Sequence, residues 1–174
     1  MPYATSLRII GQSLQKAKLQ RFELETDGSN YLVQIDSMDG ASEWILRQAV
    51  GPVARESLLD GSVRFTPDDI SRLDDLAKKQ RTIDSSHTQT YRRLSQLLRT
   101  LGDYLDRMEV STFHISWASS SVAIDFQLPD GQSDFRTFTA EKLEQLGSHS
   151  RFRRASRVHT NLLSSMKTSG PRNR

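Results

Sequence analysis

The chain has 174 residues, with 24 Lys and Arg against 21 Asp and Glu, a formal charge of +3 and no Cys. This length fits one domain or two small ones, and the missing Cys excludes disulfides, thiolate metal sites and a cysteine nucleophile. No run of about 18 apolar residues occurs, which excludes a helix spanning a membrane. The opening Met-Pro-Tyr-Ala-Thr lacks the basic and apolar character of a secretory leader, so a cytoplasmic location is the expectation.

Taken in order, Leu7, Ile10, Leu14 and Ala17 recur at helical spacing and predict an amphipathic helix with Thr5 or Ser6 as N-cap. Phe22 and Leu24 then alternate with Glu23 and Glu25, the period of a half-buried strand. Asp27-Gly28 suits a tight turn, and Tyr31 to Ile35 returns as a second strand. Trp44-Ile45-Leu46 and Ala49-Val50, followed by Gly51-Pro52, predict a short helix or lid. Phe65 closes a third short strand. Thr66-Pro67-Asp68-Asp69 starts a helix, with a hydroxyl N-cap, Pro in the first turn and carboxylates at the positive dipole end. Its buried stripe is Ile70, Leu73, Leu76 and Ala77, and Lys78, Lys79 and Arg81 suit its last turn. Residues 82–89 are polar and unperiodic, a hinge. A second amphipathic helix starting near Thr90 carries Tyr91, Leu94, Leu98, Leu101, Leu105 and Met108. Phe113, Ile115 and Trp117 alternate, Val122, Ile124 and Phe126 answer them, and Pro129-Asp130-Gly131 forms a turn. Phe135 to Phe138 is a third strand, and Thr139 caps a helix bearing Leu143 and Leu146.

The two halves resemble each other. Displaced by 91 residues, Leu7-Arg8-Ile9-Ile10-Gly11 lies over Leu98-Arg99-Thr100-Leu101-Gly102, and Leu24 and Val33 fall on Ile115 and Ile124. Displaced by 73, Phe65-Thr66-Pro67-Asp68 lies over Phe138-Thr139-Ala140-Glu141. The Leu-Arg-x-x-Gly and Phe-Thr-x-Asp/Glu matches are not demanded by hydrophobic periodicity. The expected fold is therefore α+β: a tandem duplication of a helix–antiparallel β-meander–helix unit about a pseudo-twofold axis, with helices on the apolar sheet face. The first α-β-β-β-α repeat spans 1–81 with an insertion at 36–64, the second spans 90–147, and 148–174 is a basic tail. The units associate either as one continuous sheet or back to back.

Motifs for chemistry are few. His87, His114, His149 and His159 show no zinc-ligand spacing. His114 falls on the polar side of its strand, at the position where the first half has Glu23, the ordinary place of a solvated residue. Ser85 and Ser86 neighbour His87, but Gly-x-Ser-x-Gly is absent. Asp68-Asp69 serves a helix N-terminus, and Asp74-Asp75 and Asp103/Asp106 suit solvent-facing helix surfaces. Gly11 and Gly102 lie inside helices, where Gly costs about 1 kcal/mol relative to Ala, and predict close helix–helix or helix–sheet approach. No catalytic residue, metal or cofactor is expected.

Charge singles out the C-terminus. Residues 148–174 hold seven Arg and Lys and no acid, whereas 1–147 hold the other 17 bases and all 21 acids, a net of −4. Arg151, Phe152, Arg153, Arg154 and Arg157 combine guanidiniums with an aromatic ring and suit phosphates and a base. A solvated helix end followed by a solubilising tail is the competing explanation. Val158, Leu162, Leu163 and Met166 are spaced as an apolar stripe for docking on the body or on a partner.

The leading expectation is a non-catalytic binding protein, with RNA, DNA or a ribonucleoprotein engaged through the tail. The duplicated layout resembles saddle-shaped DNA binders such as the TATA-binding protein, in architecture and without a shared motif. A protein–protein adaptor or chaperone-like module is the alternative, and an enzyme with a pocket between the repeats, roofed by Trp44, the third reading.

Overall fold

A computed structural model of the chain describes residues 2–35, 40–50, 61–81 and 93–148. In chain order the elements are α1 (Tyr3–Lys16), β1 (Arg21–Thr26), β2 (Tyr31–Gln34), α2 (Gly40–Val50), β3 (Ser62–Phe65) and α3 (Pro67–Arg81). There follow α4 (Arg93–Arg107), β4 (Thr112–Ala118), β5 (Ser121–Gln127), β6 (Ser133–Thr139) and a last helix, α5, over 140–148. The strands form one six-stranded sheet in the order β3-β2-β1-β4-β5-β6, antiparallel throughout. Of the two associations expected, the protein has the continuous sheet, joined at its centre by β1 and β4.

Alternation decides which face is buried. One row across all six strands reads Val63, Val33, Leu24, Ile115, Ile124, Arg136, and its first five members are wholly buried. On the same face Phe22 stacks on Trp117 across the central pair, ring centroids 5.9 Å apart and 5° from parallel. Leu7, Ile10 and Leu14 of α1 and Leu98, Leu101 and Leu105 of α4 complete this core with no exposure. Burying a Leu or Ile contributes about 1.5–3 kcal/mol, so this single cluster holds sheet and helices together.

The two central helices run antiparallel and very close. A Cβ built on Gly102 would sit 2.5 Å from the backbone of Ala4, and one on Gly11 would sit 2.9 Å from the Cα of Ser95. Helix–helix contact is thus the role of both glycines. The N-termini depend on the same contact. α1 starts at Tyr3, earlier than the Thr5 or Ser6 cap read from the sequence, and Pro2 at its N-cap offers no side-chain bond. The Asp106 carboxylate of α4 supplies it, accepting from the backbone N–H of Tyr3 at 2.8 Å and of Ala4 at 3.0 Å. Reciprocally, Gln15 of α1 accepts from the N–H of Ser95 at 3.2 Å. Asp106 is therefore not the purely solvent-facing charge its spacing suggested.

Both helices also end alike. Lys18 and Glu109 adopt φ of 55° and 54°, and the N–H groups of Leu19 and Val110 reach back to the carbonyls of Leu14 and Leu105. This is the Schellman closure, here with a residue other than glycine in the left-handed position. At the start of α3, Thr66 and Asp69 exchange bonds, Asp69 N–H to Thr66 Oγ1 at 3.2 Å and Thr66 N–H to Asp69 Oδ2 at 2.9 Å. That reciprocal pair is a capping box, and it accounts for half of the Asp68-Asp69 doublet.

The insertion is helical over Gly40–Val50: Leu46 and Val50 are fully buried, α2 packs against α1, and Trp44 is 63% exposed. Trp44 therefore faces solvent rather than roofing a pocket.

Gly102→Ala is expected to destabilise the protein by about 2–3 kcal/mol, since backbone cannot yield as a side chain does, despite the helix propensity gained. Asp106→Ala should cost about 1 kcal/mol through the lost cap. Urea denaturation of each variant checks both; a Gly102→Ala protein as stable as the parent would refute the close contact.

Candidate binding surfaces

The second face of the sheet has no helix over it among the described residues, and most of its side chains are polar, Leu32, Ala123 and Phe135 being the apolar ones in its two central rows. One row runs Arg64, Leu32, Glu25, His114, Asp125, Phe135, and the next runs Ser62, Gln34, Glu23, Ser116, Ala123, Thr137. At the centre, Glu23 Oε2 accepts from Ser116 Oγ at 2.6 Å and lies 2.8 Å from His114 Nε2. The carboxylate thus stitches β1 to β4 on the open side. His114 is half exposed in this pair and stands where its strand period placed it, facing solvent.

At one end of this face, Glu25, Thr26, Asp27, Asn30, Leu32 and Arg64 line a shallow recess of about 240 Å³. Its floor is the β1–β2 turn, where Gly28 takes a φ of 93°. Asp27 Oδ1 accepts from the N–H groups of Ser29 and Asn30, at 2.9 and 2.7 Å. Those backbone bonds, with a further bond from the Asn30 amide, hold the Asp27 carboxyl down at about 2. The recess is small against a usual ligand pocket of about 300–1,000 Å³.

Several charges on the helical side are paired. Arg8 of α1 reaches Asp74 of α3 at 2.8 Å, and Lys78 meets the same carboxylate at 2.8 Å. Burial raises the Asp74 pKa, but the bonds from Lys78 and Arg8 outweigh it and the net direction is down. Arg93 pairs with Glu144 of α5, and Arg136 with Asp134 on β6. Among the described residues no group of three or more His, Asp or Glu is arranged to hold a metal ion, and no helix is long and apolar enough to cross a membrane. Exposed apolar side chains lie on separate elements: Trp44 on α2, Leu76 on α3, Met108 after α4, Phe135 on β6 and Leu146 on α5. Leu76 thus falls outside the buried stripe its spacing predicts, which ends at Ile70 and Leu73.

Arg151, Phe152, Arg153, Arg154 and Arg157 lie outside the described residues, as do Val158, Leu162, Leu163 and Met166. The open sheet face, by contrast, is composed of residues that the sequence marks only by alternation. Glu23 was legible as polar, whereas its double role needs the β1–β4 register, which pairs it with Ser116 and sets it beside His114. In comparisons with protein families, curated proteins and solved structures, nothing matches this chain.

Asp27 carries a testable consequence. A carboxyl whose folded pKa is depressed contributes stability above its unfolded value of about 3.9 and loses it as pH falls toward 2. Asp27→Asn should flatten the loss of stability between about pH 4 and pH 2, read from thermal midpoints across that range. An unchanged acid limb would contradict this role.

Proposed function

We propose that the chain is a non-catalytic binding protein whose folded body is a scaffold and whose Arg-rich C-terminal segment engages a polyanion, nucleic acid or a ribonucleoprotein. What carries this reading is the segregation of charge. Residues 1–147 hold 17 bases against 21 acids, a net of −4, and Arg8, Lys78, Arg93 and Arg136 among them pair with carboxylates, whereas residues 148–174 hold seven bases and no acid. Uncompensated positive charge is what phosphate backbones select, and Phe152 among Arg151, Arg153, Arg154 and Arg157 adds a stacking surface.

The test is fluorescence anisotropy with mixed-sequence RNA and DNA over a salt series. Binding is expected at about 50 mM salt and should weaken linearly in log K against log salt. Replacing the four arginines with Gln should reduce that slope by about 3. No binding at low salt, or binding indifferent to these substitutions, overturns the reading.

A second reading is a protein–protein adaptor, and the polar face of the six-stranded sheet, which carries no helix among the described residues, favours it. A partner held there would resist nuclease and be released by Glu25→Arg or His114→Glu rather than by the tail substitutions.

We further infer that the body arose by tandem duplication and that its halves are related by a pseudo-twofold axis passing between Leu24 and Ile115. These two residues are paired, and they are 91 apart. The pairings Leu24–Val33 and Ile115–Ile124 are equivalent at that displacement. So are the contacts of Gly11 with Ser95 and of Gly102 with Ala4. The reciprocal caps from Asp106 and Gln15, and the left-handed Lys18 and Glu109, obey it too. The pairings Tyr31–Phe65 and Val122–Phe138 support the second displacement, of 73. Residues 90–148 expressed alone should then form a homodimer joined through β4, with sedimentation as the readout. A soluble folded monomer would count against the inference.

A further inference from the structure

The two edges of the sheet differ. β3 is four residues long, follows Gly61 with its φ of 70°, and is closed by Thr66-Pro67 at the start of α3. Short strands and proline are the ordinary protection of an edge. β6 has seven residues, Ser-Asp-Phe-Arg-Thr-Phe-Thr, with neither proline, glycine nor lysine. Each of them is exposed or half-buried, and Phe135 is 55% exposed on the open face.

Two charged residues of β6, Asp134 and Arg136, share the helix-side face, in register with Phe126 and Ile124 of β5. A lone inward charge would guard the edge against pairing. Here the charges are opposite and two residues apart, and they bond to one another at 2.7 Å while remaining partly exposed. An exposed pair of this kind is worth only about 0–1 kcal/mol, so exchanging it for an equivalent pair between strands is nearly neutral.

We propose that β6 is a homodimerisation edge, occupied by β6 of a second copy in antiparallel register about a twofold axis at Phe135. In that register Asp134 faces Arg136 of the partner subunit, and Arg136 faces the partner's Asp134. The two Phe135 rings meet directly on the open face. Residues opposite each other in an antiparallel pair lie about 4.5–5.5 Å apart at Cα, within reach of both the ion pairs and the ring contact. The Phe135 N–H, which in one copy donates to Asp134 Oδ1 at 2.8 Å, exchanges that bond for the carbonyl of the partner's Phe135. With the other N–H and C=O groups of the edge it forms the ladder, and the two sheets merge into one of twelve strands. The sequence of β6 is thus complementary to itself, which is what selects a second copy over an unrelated extended segment.

The test is analytical ultracentrifugation of the full chain up to about 100 µM, a range that detects even a weak dimer. A concentration-dependent dimer is expected. Arg136→Asp places carboxylates opposite one another, and Asp134→Arg places guanidiniums opposite one another. Each variant alone should lose more than about tenfold in dimer affinity. Mixing the two should restore a heterodimer, and the double exchange Asp134→Arg with Arg136→Asp should restore the homodimer. Circular dichroism confirms that each variant is folded, and Phe135→Pro gives an independent block of the ladder. A parent chain that stays monomeric overturns the proposal. So does a dimer that survives both single reversals, or a monomer that dimerises only when residues 149–174 are removed, since that segment would then be the occupant of the edge.

Discussion

The approach of α1 to α4 at Gly11 and Gly102 is the constraint on which the remaining structure depends. A glycine inside a helix costs about 1 kcal/mol relative to alanine, and the protein bears that cost in both helices. The return is proximity. With no Cβ between them the backbones come close enough for Asp106 to reach the first turn of α1 and Gln15 the first turn of α4. It also lets Leu7, Ile10, Leu14, Leu98, Leu101 and Leu105 bury completely against β1 and β4. Each of those burials is worth about 1.5–3 kcal/mol, so a few of them outweigh both glycines. Because the same helices cover the central strand pair, the contact sets the register of the helical layer over Phe22–Trp117 and Leu24–Ile115 together.

The two ends of the sheet differ in how they are covered. In the row that begins at Val63 and ends at Arg136, the first member is buried and the last exposed. α2 adds Leu46 and Val50 to the core on the side of the first half. The second half has a connection of only a few residues between β5 and β6, and there Tyr104 packs edge-on against Phe126 and Phe138, with centroids 6.2 and 5.6 Å away. An aromatic side chain on α4 thus seals part of what a helix would cover. The strand beyond it carries Arg136 in the row where β3 carries Val63. Polarity on β6 is the consequence of a thinner helical layer above it.

Much of this architecture was legible because it rests on periodicity and turn chemistry. The strands bearing Phe22, Val33, Ile115 and Ile124 show clean alternation, and Thr66-Pro67 marks the start of α3 as its capping box requires. The start of α1 was not legible. Its cap is Asp106, more than a hundred residues away, while local rules point to the nearer hydroxyls of Thr5 and Ser6. Glycine inside a helix signalled close approach but not which partner; only the fold shows Ala4 and Ser95 there. The binding surfaces divide in the same way. The Arg-rich segment announces itself by composition, whereas a rank of residues across six strands has no signature in sequence, since it is assembled from single positions between seven and ninety-three residues apart.

Energetics on the two sheet faces also differ in kind, and that difference bears on where binding can evolve. On the helix side, any change of volume is felt through a close-packed core, at a cost of several kcal/mol for a large-to-small exchange. On the open side, Glu23 with His114 and Ser116 is the polar contact across the central strand pair, and partly exposed pairs of that sort contribute about 0–1 kcal/mol. Residues there are exchanged at little cost to the fold, as are the exposed ones of β6. The physical chemistry of the body therefore constrains its open face and its long edge far less than the α1–α4 contact and the core row beneath it, which answer to stability.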